Sequence, residues 1–236
     1  MRNTPDGNEQ ELADLKLNTW LSLVNSRRHR DVSFDNYKPQ NKEQQKAMLT
    51  CQEWAKDLPE EQDRGLFLVG PVGTGKTHLL LATIRQLIEL YPQNIVSAGL
   101  KHRYWRDGDK RTESAVSVIF VSMIDLLRDI KESFGQEERD KNLGIERISE
   151  GARSCDLLFI DDIAAERTTD WVREQIFDLI DYRYRYERLT SFTSNLNAND
   201  LEAVLGDRIM SRIMEMTIGV PVVGPDYRKS LNNAPG

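Results

Sequence analysis

The chain of 236 residues has little cysteine and histidine and no long apolar segment, and each shortage excludes a class of protein. Its two cysteines, Cys51 and Cys155, lie far apart without CxxC spacing. Such scattered thiols fit a reducing compartment better than a disulfide framework, although a single bridge between them stays open. Three isolated histidines offer no zinc-ligand cluster, so we expect no structural metal.

Membrane insertion is also unexpected. No apolar run approaches the roughly 18 to 20 residues that a bilayer span requires, and the N-terminus has no apolar signal segment. We therefore expect a soluble, cytoplasmic protein without a membrane partner.

The sequence lacks an excess of basic residues as well. Its 32 lysines and arginines stand against 38 aspartates and glutamates, which gives a formal net charge of −6. A protein that coats DNA through bulk charge is usually basic. Any contact with nucleic acid must therefore come from a local patch or from several subunits together.

What the sequence does contain is an alternation of strands and helices, which predicts an α/β fold with a mainly parallel, five-stranded sheet flanked by helices. We predict strands near residues 66–69, 116–121, 157–160, 191–193 and 217–223. The spacing of apolar residues predicts helices near residues 8–30, 42–57, 80–91, 124–130, 170–186 and 200–215. Residues 92–113 are expected to form an irregular excursion. We divide the chain into an N-terminal helical segment and connector, residues 1–40, and a main domain, residues 41–236.

The most specific motif is the segment GPVGTGKT at residues 70–77, which fits G-x-x-x-x-G-K-[ST] at every specified position. An apolar strand precedes it and an amphipathic helix follows it, as a phosphate-binding loop requires. Its glycines let successive N–H groups point at phosphate oxygens, and the helix N-terminus adds the positive end of its dipole. We expect Lys76 to reach the β- and γ-phosphates of ATP and the Thr77 hydroxyl to ligate Mg²⁺.

Polar residues follow two further strands at the same predicted edge of the sheet. Asp161 and Asp162 come directly after four apolar residues, and Asn195 follows the fourth strand. We expect Asp161 to orient Mg²⁺, and Asp162 to act as the base or to orient the attacking water. An amide at Asn195 would position that water, although a turn or helix cap explains this asparagine equally well.

Four segments, GPVGTGKTHLL, LLFIDDIAAER, FTSNL and LGDRIMSRI, resemble the motifs of the DnaC/IstB branch of AAA+ ATPases and occur in the same order. The likeness covers roughly residues 31–230. It implies a P-loop NTPase of AAA+ type, without a full C-terminal lid, that hydrolyses ATP with Mg²⁺. By this resemblance Asn195 is the sensor-1 residue, and Arg212, or as second choice Arg208, is an arginine finger for the ATP of a neighbouring subunit.

The expected site combines residues from all of these motifs. The nucleotide-binding residues are Gly70, Pro71, Val72, Gly73, Thr74, Gly75, Lys76, Thr77 and His78, with Arg228 as a further candidate sensor. The metal-binding residues are Thr77 and Asp161, and the catalytic residues are Asp162, Asn195, Arg212 and Arg208.

The resemblance also implies partners. The family contains helicase loaders, so we expect a homo-oligomer that forms with ATP and delivers a replicative DNA helicase onto single-stranded DNA at initiation or restart of replication. The alternative is an IstB-like helper ATPase that assembles on duplex DNA and activates a transposase. A nucleotide-binding module with negligible turnover is a third interpretation.

Two segments are candidates for contact with these partners. Residues 101–111 combine five lysines and arginines with two aromatic rings, which suits single-stranded DNA, and the helix beginning near Ser122 is the other DNA candidate. The helix that carries Trp20 is the candidate for docking a helicase, unless it packs on its own core.

Overall fold

The computed structural model describes residues 7–24, 26–58, 63–97, 116–133, 148–164 and 169–232. Within these ranges, six parallel strands form one sheet in the order β2-β3-β4-β5-β1-β6. The strands are β1 (Gly65–Val69), β2 (Ile95–Ser97), β3 (Val116–Ser122), β4 (Leu157–Asp161), β5 (Leu189–Ser194) and β6 (Thr217–Pro221). The α/β class and the parallel sheet are confirmed. The candidate DNA segment 101–111 lies outside the described residues.

The prediction of five strands was wrong by one. The additional strand, β2, lies in the stretch expected to be irregular and pairs with β3 at the edge of the sheet. With only three residues it is too short to show a strand periodicity, and its place depends on pairing with a strand about twenty residues later.

The helices cover the sheet on both faces. They are α1 (Gly7–Leu23), α2 (Lys42–Asp57), α3 (Lys76–Leu90), α4 (Met123–Ser133), α5 (Ile148–Ser154), α6 (Asp170–Arg185), α7 (Ala198–Leu205), α8 (Asp207–Met216) and α9 (Tyr227–Asn232). A short 3₁₀ turn, Arg27–His29, follows α1. The single helix predicted over 200–215 is two helices, because Gly206 between them has φ 93°, outside the helical region. Of the described helices, none has the length and apolar content to cross a bilayer.

Alternate side chains of the central strands enter two separate cores. Leu66 and Leu68 pack with α1, α2 and α3, whereas Phe67 between them packs with the helices α4 to α8 on the opposite face. The same alternation occurs in β4, where Leu158 and Ile160 face the second core. Burial on both faces explains why these strands are apolar throughout.

The N-terminal helix α1 is part of the first core. Trp20 is 4% exposed, and its Nε1 donates a hydrogen bond of 2.7 Å to the carbonyl oxygen of Arg30. This tryptophan therefore packs on its own domain. The sequence leaves this open as the alternative to a role in docking a helicase. The division at residue 40 stays a prediction, and the core is continuous across it.

A buried arginine joins the amino ends of β4 and β5. Arg183 of α6 is fully buried, and its Nε donates to the Thr190 hydroxyl at 2.7 Å. The remaining guanidinium nitrogens donate to five backbone carbonyls, those of Ala152, Arg153, Cys155, Asp156 and Leu189. The side chain thereby holds the loop before β4 against the start of β5. The polar residues of interest lie at the opposite ends of these two strands, so their alignment depends on this register.

We expect Arg183→Met to lower the free energy of unfolding by about 3 kcal/mol or more, because several buried carbonyls would lose their donor. Arg185→Met is the matched control: this arginine lies on the same helix and is 58% exposed in its ion pair with Asp181. Its loss should cost less than about 1 kcal/mol. Urea unfolding measures both changes, and equal values for the two variants would contradict the bracing role of Arg183.

Candidate nucleotide site

The P-loop joins β1 to α3 and has the backbone conformation that its glycines make available. Gly73 and Gly75 have φ angles of 81° and 96°, which side-chain-bearing residues rarely adopt. A Cβ atom on Gly75 would lie 2.7 Å from the Tyr37 ring, and one on Gly73 would lie 1.8 Å from an oxygen of Asp226. The loop is thus enclosed between the connector before α2 and the segment after β6.

Lys76, the first residue of α3, points back into this loop. Its Nζ donates hydrogen bonds of 2.7 Å to the carbonyl oxygens of Gly70 and Pro71, so the ammonium lies inside the curve of the backbone. Burial lowers the pKa of Lys76, and the carboxylates of Asp162 and Asp161 oppose that effect. Two of its N–H groups are used in these bonds, which leaves the remaining one for a phosphate oxygen.

Three oxygen-bearing side chains meet beside the lysine. The Thr77 hydroxyl donates to Oδ1 of Asp161 at 2.9 Å, and the Thr193 hydroxyl donates to the same oxygen at 2.7 Å. Carboxylate and hydroxyl oxygens next to a phosphate loop are typical Mg²⁺ ligands in nucleotide sites, where water and phosphate oxygens complete the coordination shell. Thr77 and Asp161 therefore fit a magnesium ion.

Asp162 and Asn195 form a second polar pair at this edge. Nδ2 of Asn195 donates to Oδ2 of Asp162 at 2.9 Å. The Asp162 backbone has φ 54°, and its N–H donates to the Thr193 hydroxyl at 2.8 Å. This left-handed conformation is uncommon for a residue with a side chain and turns the chain away from the sheet. Burial, followed by the charge of Asp161, raises the pKa of Asp162, while Lys76 opposes the shift.

The ends of parallel strands bring these groups together. Val69 at the end of β1 pairs with Ser194 of β5, and Ile160 of β4 pairs with Phe192 of β5. The residues that follow, namely the P-loop, the aspartate pair and Asn195, consequently share one cleft of about 550 Å³. This volume is within the roughly 300–1,000 Å³ of ordinary ligand sites.

Two nucleotide candidates outside the phosphate-loop motif also line this cleft. His78 and Arg228 contribute to its wall, and the Arg228 charge further lowers the pKa of Lys76. Nε2 of His78 lies 2.9 Å from the Ser33 carbonyl oxygen, and burial lowers the pKa of this imidazole. His78 thus connects the helix after the P-loop to the N-terminal connector.

Several residues in the wall of the cleft could not be predicted from the sequence motifs. The Tyr37 hydroxyl donates to the Thr74 carbonyl oxygen at 3.2 Å. The backbone N–H of Tyr227 donates to the Gly73 carbonyl oxygen at 3.0 Å. Thr193 belongs to the FTSN segment, but its sequence position does not reveal its contacts. Only the structure shows that its hydroxyl hydrogen-bonds to both Asp161 and Asp162.

The two candidate finger arginines lie apart from this cleft, on α8. Arg212 forms an ion pair of 2.6 Å with Asp181 and lies over the Phe177 ring of α6 at 5.0 Å. Within the described part of the chain, its buried Nε has no hydrogen-bond partner. Arg208 is exposed and lies over the same ring at 4.7 Å.

The chain resembles known proteins in sequence and fold, although no protein-family profile matches it. It is 26% identical over 203 residues to the replicative helicase loader DnaC of Buchnera aphidicola subsp. Baizongia pistaciae, covering 86% of this chain and 71% of that protein. It is 23% identical over 185 residues to Escherichia coli K12 DnaC, covering 78% of this chain and 64% of that protein. The chain thus spans about two thirds of the length of these relatives.

Solved structures agree with the sequence relatives. A crystal structure of the DnaC helicase loader superposes with a TM-score of 0.64 and 26% identity, over 83% of this chain and 99% of that one. The replication initiator DnaA bound to AMPPCP and single-stranded DNA has a TM-score of 0.56 and 22% identity, over 80% and 49% of the two chains. In sequence and in fold the chain is DnaC-like, with the P-loop AAA+ architecture that the motifs predicted.

Proposed function

We propose that this DnaC-like chain is an ATPase that acts in the cytoplasm as a helicase loader, delivering a replicative DNA helicase onto single-stranded DNA. One observation carries the proposal: a phosphate loop, a magnesium-type oxygen pair and a polar Asp162–Asn195 pair share one cleft. The DnaC relatives support a loading function, since both are named replicative helicase loaders.

Each side chain of the cleft has a distinct role in the proposed reaction. The main-chain N–H groups of residues 72–77 and the Lys76 ammonium bind the phosphates of ATP, and Thr77 and Asp161 would hold Mg²⁺. When bound, this ion would neutralise charge on the terminal phosphates. Asp162 accepts a proton from the attacking water, and Asn195 orients the carboxylate that does so. Arg228 adds positive charge beside the phosphates.

A cation beside the transferred phosphoryl group stabilises the charge that develops during hydrolysis. We propose that Arg212 of one subunit reaches the ATP of the next, so that turnover requires a homo-oligomer formed with ATP. To reach that ATP, Arg212 would have to exchange its ion pair with Asp181 and expose its buried Nε. The exposed Arg208 is the second candidate.

A loading assay tests the proposal directly. The chain is mixed with the host replicative helicase and circular single-stranded DNA, which has no end for a helicase ring to thread. We expect ATP to increase the amount of helicase on the DNA over ADP, and hydrolysis to release the loader. Failure to bind the helicase in any nucleotide state would refute the loader role. Stimulation of a transposase on duplex DNA would instead support the IstB-like alternative.

Lys76→Ala tests the nucleotide site on which the loader role depends. We expect this substitution to weaken ATP and ADP binding by about a hundredfold or more, because the buried ammonium inside the phosphate loop is lost. Calorimetry with Mg²⁺ measures the affinities, and the control is Lys46→Ala, which removes an exposed lysine of α2. Unchanged affinity in Lys76→Ala would contradict the proposed cradle.

A further inference from the structure

The basic 3₁₀ turn after α1 is held in place by core residues on its C-terminal side. Nε1 of Trp20 donates to the Arg30 carbonyl oxygen at 2.7 Å, and a guanidinium nitrogen of Arg85 donates to the Val32 carbonyl oxygen at 3.0 Å. His78 contacts the next carbonyl, that of Ser33, at 2.9 Å. The backbone of the turn is therefore positioned by α1 and α3 and is not a loose loop.

Two residues of this anchored turn line the nucleotide cleft. Arg28 and His29 line the same cavity as Lys76, Thr77 and Asp161, whereas Arg27 does not. His29 and Asp161 also line the adjoining cavity of about 510 Å³ beside β3 and α4, so they lie where the two cavities meet.

His29 of the turn lies at the metal-binding end of the cleft, because it lines the same two cavities as Asp161. Burial lowers the pKa of His29, and the charge of Asp161 opposes that shift. The Arg28 charge lowers the same pKa. Asp161 and Thr77 are the pair beside which the terminal phosphates of a bound nucleotide would lie.

Arg28 also has no acidic partner within the part of the chain that the structure describes. The residue is exposed. A guanidinium suits phosphate particularly well, because its planar donors match two phosphate oxygens at once. Arg28 thus combines a fixed backbone, a place in the cleft and an uncommitted cation.

We propose that Arg28 binds the terminal phosphate of ATP within its own subunit, so that the turn after α1 distinguishes ATP from ADP. This inference rests on the proposed nucleotide binding. It gives the site a further cation in cis, additional to Lys76 and Arg228 and to an arginine supplied by a neighbour. It also connects the phosphates to α1, since the turn directly follows that helix.

The test compares two neighbouring arginines of one turn. Arg28→Gln and Arg27→Gln remove the same charge from the same surface, but only Arg28 lines the cleft. For Arg28→Gln we expect ATP affinity to fall about tenfold or more while ADP affinity changes less than about twofold. Arg27→Gln should bind both nucleotides like the unchanged chain, and Arg28→Lys should recover part of the loss.

Calorimetry with ATP, ADP and Mg²⁺ provides the readout, and thermal unfolding confirms that each variant is folded. Equal affinities in Arg28→Gln and Arg27→Gln would overturn the inference, and so would an equal loss for ATP and ADP. If the unchanged chain binds neither nucleotide, the proposed function itself fails. The two failures are therefore distinguishable.

Discussion

Asp162→Asn is expected to bind ATP as tightly as the unchanged chain and to hydrolyse it about a thousandfold more slowly. The substitution keeps the size of the side chain but removes the carboxylate that accepts the proton of the attacking water. Positioned general bases contribute about 10²- to 10⁴-fold to rate. Asp162 has the geometry for this role, because Asn195 holds one of its oxygens and its backbone projects it into the cleft.

The pH dependence of turnover gives an independent readout of the same residue. A base must be ionised to act, so hydrolysis should decline as the pH falls through the pKa of Asp162. Because burial and the neighbouring Asp161 raise this pKa, the decline should begin at a higher pH than for an ordinary aspartate. Any residual activity of Asp162→Asn should not show this decline at low pH.

Phosphate release under saturating ATP measures the rates, with the assembly state held constant. Asp170→Asn is the control, since the Asp170 side chain is 99% exposed at the start of α6, where it pairs with Arg173, and does not line the cleft. Normal turnover in Asp162→Asn would remove the proposed role, and a parallel loss of ATP affinity would assign Asp162 to binding instead.

Arg212→Ala is expected to lower turnover in the assembled protein by about a thousandfold while leaving each ATP site occupied. Arginine fingers contribute about 10³- to 10⁵-fold because a cation stabilises charge that develops during phosphoryl transfer. The isolated subunit should change little, since Arg212 lies on α8 beside Phe177 and Asp181 and does not line its own cleft.

Action in trans has a specific signature in mixed assemblies. Asp162→Asn subunits lack the base but carry Arg212, whereas Arg212→Ala subunits have an intact ATP site. Mixing them should restore turnover above that of either variant alone, because some interfaces then combine both groups. Absence of rescue would contradict the trans assignment.

Two further variants separate catalysis from packing. Arg185→Ala removes the other partner of Asp181 and should leave turnover unchanged, so a similar loss there would attribute the Arg212 effect to the ion pair. Arg208→Ala should have a smaller effect than Arg212→Ala. The reverse order would move the finger to the exposed arginine one turn away.

The chemistry of the candidate site was largely readable without a structure. GPVGTGKT determines its own local shape, because glycine at positions 73 and 75 permits the positive φ angles of a phosphate loop. The four apolar residues before Asp161 identify a buried strand, and parallel strands present their carboxyl ends at one edge. These patterns depend only on residues that are close in the sequence, so they can be identified without a structure.

Other features exist only once distant segments pack. The three residues of β2 form a strand because β3 offers an edge, and Arg183 is buried because carbonyls from α5 and β5 surround it. The position of Arg28 in the cleft depends on contacts that α1 and α3 make with the backbone after the turn.

The sequence by itself determined the α/β class, the phosphate loop and the acidic pair, since each is encoded by local spacing and residue type. Tertiary structure alone decided the sixth strand, the role of Thr193 between two aspartates and the entry of the basic turn into the cleft. The physical reason is that these contacts join residues far apart in the chain, and their formation depends on how both faces of the sheet are covered.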